Sequence, residues 1–139
     1  MGDPSDVQQR AWRSSARSTG STTELPCSAD SAAEARRHVR QVCGAVAADE
    51  LCLAVQLVAT ELVANAVRHA HTGVRLSVLP TPQGVLVEVA DDSPRMPERR
   101  DPGLFDESGR GLWLVDAVAA RWGVERESPG KRVWAELIG

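Results

Sequence analysis

Glu61, Asn65 and His69 stand four residues apart in Glu61-Leu62-Val63-Ala64-Asn65-Ala66-Val67-Arg68-His69, so a helix stacks them on one face. Leu57, Val58, Leu62, Val63, Ala66 and Val67 make that helix apolar nearly all round, which predicts that it is buried. A carboxylate and a carboxamide are costly there unless they close a hydrogen-bond network or face a ligand. Asn65 offers a neutral oxygen, suited to a magnesium ion whose other ligands are waters and phosphate oxygens. Asp91 ends an alternating apolar stretch. An ionised carboxylate only accepts hydrogen bonds, so it can take the exocyclic N–H of adenine but repels the carbonyl oxygen of guanine. Gly109-Arg110-Gly111-Leu112 opens another helical pattern. Glycines there let backbone N–H groups approach phosphate oxygens, and the helix end adds partial positive charge. Each feature alone has an ordinary explanation in a core-bonded Asn, a turn-forming Asp or loop glycines. Together, in three distant stretches, they favour a ligand.

Other chemistries fit the residues less well. The glycine pair is neither a Walker A loop nor a dinucleotide fingerprint, because no strand leads directly into it. His69 and His71 with Glu61 lack the HExxH spacing of a zinc site, and His71 lies past the expected helix end. Cys27, Cys43 and Cys52 are odd in number and form no CxxC, so they read as free buried thiols in a reducing compartment. A net charge of −3, with Lys131 the only lysine, does not point to direct nucleic-acid binding. The chain opens with no basic-then-apolar leader, and no apolar run approaches ~18 residues. Asp6 stands where a myristoylation motif needs Ser or Thr. The expectation is a cytoplasmic protein without membrane contact.

The elements that position these residues follow from periodicity. Residues 1 to about 22 are polar and aperiodic and read as a disordered tail, leaving a single domain over 23–139. Glu24 to Cys27 reads as an edge strand. Ser28 or Asp30 caps a helix through Ala33, Val39, Val42 and Val46, broken near Gly44, and Asp49 caps a second from Leu51 to His69. Val74, Leu76 and Val78, then Val85, Val87 and Val89, alternate as a hairpin about Pro80–Gly84. Residues 95–108, with Pro97, Pro102 and Gly103, read as a lid whose phosphate partners are Arg99, Arg100 or Arg110. A third helix carries Leu112, Val115, Val118, Ala119 and Trp122 and stops at Gly123. Val124–Glu127 and Arg132–Ile138 form strands about Ser128-Pro129-Gly130. This order predicts an α/β two-layer sandwich: a mainly antiparallel sheet with helices on one face.

Three stretches carry a family likeness. Glu61-Leu62-Val63-Ala64-Asn65-Ala66, Val89-Ala90-Asp91-Asp92-Ser93-Pro94 and Gly109-Arg110-Gly111-Leu112-Trp113-Leu114-Val115-Asp116 resemble the N, G1 and G2 boxes of the GHKL ATPase superfamily. The likeness covers roughly residues 22 to 139. It is greatest to the small stand-alone branch of bacterial anti-sigma-factor serine/threonine kinases. The resemblance implies ATP and Mg²⁺ as cofactors, with Asn65 the metal ligand and Asp91 the adenine reader. It makes Gly109, Arg110, Gly111 and Leu112 the phosphate cradle, brings His69 or Arg68 to the phosphates, and makes Glu61 the catalytic base or water-orienting group. It also implies a sigma factor and an anti-anti-sigma (STAS-type) protein as partners, and a homodimer. No sensor or phosphotransfer helix precedes the boxes, so a histidine kinase is not expected. Ser93 and Arg95 replace the glycines usual in the second box, and Arg132 falls where a threonine near adenine is common. Two alternatives stand beside the kinase: an adaptor that uses ATP only to set its shape, and a binding module whose Glu and Asn satisfy each other.

Overall fold

Alternating branched apolar residues give each central strand one face for a core. The computed structural model describes residues 20–44, 49–69, 73–93, 107–127 and 129–139. Five strands form one sheet: β1 (Ser21–Leu25), β2 (Val74–Pro80), β3 (Gly84–Asp91), β4 (Arg121–Arg126) and β5 (Lys131–Ile138). Their order is β1-β2-β3-β5-β4, and every neighbouring pair is antiparallel. Helices α1 (Ser31–Cys43), α2 (Asp49–His69) and α3 (Glu107–Val118) complete the expected sandwich. Val74, Leu76 and Val78 of β2, Val85, Val87 and Val89 of β3, and Val133, Ala135 and Leu137 of β5 share one core with Val39, Val55, Val58, Leu62, Val63 and Val115 of the helices.

The sheet's other face is mixed. Leu79 and Leu86 pair across β2 and β3 and pack with Trp134. Arg132 pairs there with Glu125, Glu88 (3.7 Å) and Glu127 (3.4 Å), and Arg121 with Glu136 (2.6 Å).

Helix α2 departs from expectation twice. An 18-residue part of its Asp49–Arg68 stretch has a mean hydropathy of 1.5, long and apolar enough by those measures to cross a membrane. Scattered polar residues hide this from a search for an unbroken apolar run. In this fold its buried residues Cys52, Val55, Val58, Ala59, Leu62, Val63 and Ala66 belong to the core. Burial is also not complete: Leu53 is 64% and Leu57 43% exposed. The sheet, α1 and α3 cover only part of the helix circumference, and the Leu53–Leu57 stripe lies outside it.

Three boundaries move. Strand β1 begins at Ser21, inside the segment assigned to the tail, because Ser21 and Thr22 register with Val78 and Ser77 of β2. The Thr22 and Ser77 hydroxyls also share a 2.8 Å hydrogen bond. Residues 1–19 and 94–106, with nearly all of the supposed lid, lie outside the described residues. Helix α3 stops at Val118, and Trp122 and Gly123 sit in β4. The Ala119 N–H closes the last turn on Val115, whereas that of Ala120 donates to Glu136 in β5, so the chain has joined the sheet. Gly123 serves packing: a Cβ there would come within 3.0 Å of the Trp134 ring.

All three cysteines are free, but only Cys43 and Cys52 are buried; Cys27 is exposed. Burial raises the Cys43 thiol from 9.0 to about 12, and its hydrogen bond to Cys52 adds to the rise. Because the thiolate is the reactive form, Cys43 should be inert at neutral pH. Titration of the native protein with an aromatic disulfide at pH 8 should show one fast thiol, from Cys27, and three after denaturation. Three fast thiols in the native state would contradict the packing of α1 on α2.

Candidate functional site

Strand alternation puts Asp91 on the helix-facing side of β3, with Val85, Val87 and Val89. It is 3% exposed. The β3–β5 register sets Lys131, the first residue of β5, opposite it. Gly130 permits that approach, because a Cβ there would overlap the Asp91 carbonyl. Lys131 Nζ donates to Asp91 Oδ1 at 3.0 Å and to the Ser93 carbonyl at 3.5 Å. The Ser93 N–H donates to the same Oδ1 at 2.8 Å. Asp91 Oδ2 is buried with no hydrogen-bond partner. Such an oxygen costs roughly 1–3 kcal/mol or more unless a donor reaches it.

Lys131 is the partner of Asp91 that sequence reading missed. Its only signal was being the chain's sole lysine, at the head of a strand. Arg132, expected near the base, points to the opposite face and pairs with Glu125. In a strand a shift of one residue changes faces.

The end of α2 reaches the same end of the sandwich. Residues 70–72 link it to β2, whose Arg75 registers with Ala90, the neighbour of Asp91. Asn65 is 6% exposed. Its Oδ1 accepts from Arg68 Nη1 at 3.2 Å, while its Nδ2 is buried without a partner. Asn65 is therefore not the backbone-bonded core amide of the ordinary explanation. Glu61, one turn earlier, is half-buried and takes no hydrogen bond or ion pair among the described residues. The two do not satisfy each other, as a dead site would require.

Gly109, Arg110, Gly111 and Leu112 lie within α3, which packs against α2. Gly109 is in the first turn, where backbone N–H groups have no intrahelical acceptor, and Gly111 is just beyond it. The side chains of Arg110, Leu112 and His69 fall outside the described residues. Among the described residues no three His, Cys, Asp or Glu side chains converge on a metal position. Among the described residues, an orphaned carboxylate oxygen thus stands at the end of β3, while α2 carries an orphaned amide and an unpaired carboxylate on one face.

A family model described as the histidine kinase-like ATPase domain matches residues 25–137. An uncharacterized protein of Streptomyces coelicolor is 42% identical over 86 residues, covering 58% of this chain and 81% of that protein. Among solved structures, the RsbU and RsbW domains of a Mycobacterium tuberculosis protein superpose with a TM-score of 0.65 at 16% identity, over 86% of this chain. This chain spans about a third, 32%, of that one. The SiaB–SiaC complex from Pseudomonas aeruginosa gives a TM-score of 0.65 at 14% identity, over 96% of this chain and 99% of the matched one. At these identities the two likenesses are ones of fold.

Proposed function

Because the chain belongs to the histidine kinase-like ATPase domain family, we propose that it is a cytoplasmic ATP-binding regulator that phosphorylates a serine or threonine of an anti-anti-sigma (STAS-type) protein and also binds a sigma factor. The observation that carries this reading is the buried, unpartnered Oδ2 of Asp91. Asp91 Oδ2 suits an exocyclic N–H of the base. Asn65 offers the single neutral oxygen that a Mg²⁺ ion carrying a triphosphate takes from protein, with Arg68 exchanging its bond to Asn65 for one to phosphate. Bound there, the ion supplies charge neutralisation for the triphosphate.

Glu61 does the proton chemistry. Its unpaired carboxylate accepts the proton of the attacking hydroxyl while that oxygen bonds to the γ-phosphorus; the bond to the bridging oxygen breaks and ADP leaves. In such transfers the protein chiefly positions groups and stabilises charge, so one carboxylate suffices. Its lack of a structural partner favours an enzyme over an adaptor. Fold likeness to an RsbW domain and to a SiaB–SiaC complex supports a protein partner, and the homodimer is proposed from the sequence resemblance alone.

The test is transfer from γ-labelled ATP to proteins co-purified from the native cell. Label should appear on serine or threonine of a small partner. ATP bound without label on any partner would leave the adaptor.

A further inference from the structure

Asp91 does not meet the base alone. The Lys131 side chain lies beside it, 3% exposed against 1% for Asp91. One Lys131 N–H goes to Asp91 Oδ1 and one, at 3.5 Å, to the Ser93 carbonyl. The third has no acceptor among the described residues. A buried acceptor without a partner, Asp91 Oδ2, thus belongs to the same carboxylate whose Oδ1 is held by Lys131, and the buried Lys131 Nζ has one N–H left to give. The ligand edge that satisfies both must carry a donor adjacent to an acceptor.

We propose that Lys131 is a specificity-determining residue that turns an adenine-selective carboxylate into a reader of both purines, so that this site takes GTP or ITP as well as ATP. This rests on the reading of Asp91 as the base-recognition group. Adenine presents N6–H beside the N1 acceptor, for Asp91 and Lys131 respectively. Guanine and hypoxanthine present N1–H beside the O6 acceptor, so Asp91 takes the former and Lys131 the latter. A carboxylate alone would repel O6; the ammonium removes that penalty. The two edges run in opposite order, so guanine and hypoxanthine meet the fixed pair with the base turned over relative to adenine. Gly130 and the β3–β5 register hold the pair together.

Calorimetric titration of the full chain with Mg-ATP, Mg-ITP and Mg-GTP is the test. In the wild type ATP and ITP should bind within about fivefold of each other. 1-Deaza-ATP, which lacks the N1 acceptor, should bind about tenfold or more weakly than ATP, because it leaves the lysine donor unpaired. Lys131→Thr should lose ITP and GTP by about tenfold or more relative to ATP. If that variant does not melt cooperatively, the wild-type series with 1-deaza-ATP decides alone. Tight ATP binding with ITP and GTP over 100-fold weaker, or 1-deaza-ATP equal to ATP, would overturn the role of Lys131 and leave the ATP reading intact. A folded chain that binds none of the nucleotides would overturn both.

Discussion

Asp91→Asn should weaken ATP binding by about 10- to 100-fold, through loss of a charge-assisted hydrogen bond of ~1.5–3 kcal/mol. It should also destabilise the fold. The carboxamide can no longer neutralise Lys131, whose side chain is 3% exposed, and stripping one partner from a buried ion pair costs roughly 3–5 kcal/mol. The two effects separate in a double variant. Replacing both partners, as Asp91→Asn with Lys131→Met, should recover most of the stability, because no buried charge remains unpaired. It should not recover ATP binding. Urea unfolding and calorimetry on the two proteins read the effects independently. An Asp91→Asn protein that keeps wild-type affinity would remove Asp91 from the base site.

Glu61→Ala should behave in the opposite way. Glu61 is half-buried and has no partner among the described residues, so its removal orphans nothing. Stability should stay within about 0.5 kcal/mol of wild type, and ATP should bind almost as before. Phosphate transfer to the protein partner should fall by ~10²–10⁴-fold, the usual contribution of a positioned general base. Asn65→Ala is the contrast, weakening Mg-ATP binding itself through loss of the metal's protein oxygen. Transfer rates measured at saturating ATP distinguish the two. An unaltered rate in Glu61→Ala would exclude the carboxylate from the chemistry.

Features carried by local periodicity were legible in the residues. Val85, Val87 and Val89 alternate whatever they pair with, which placed Asp91 at the end of a half-buried strand. Four-residue spacing put Glu61 and Asn65 on one helix face, and α2 runs through both. The order strand, two helices, hairpin, helix, hairpin led to the observed two-layer sandwich. Where two local signals competed, the reading failed. Trp122 continued the helical spacing of Val115 and Val118, but the Ala120 N–H finds its acceptor in β5, and no local pattern contains that partner.

Pairing between distant segments decided the rest. Lys131 lies 40 positions from Asp91, and only the β3–β5 register sets it opposite. A shift of one residue in that ladder would bring Arg132 to the base and turn Lys131 to the far face. The residue types of the site belong to the sequence; which charge meets Asp91, and hence which base edge it can read, belongs to the sheet, because register is set by the packing of the whole apolar face and not by the strand that carries the lysine.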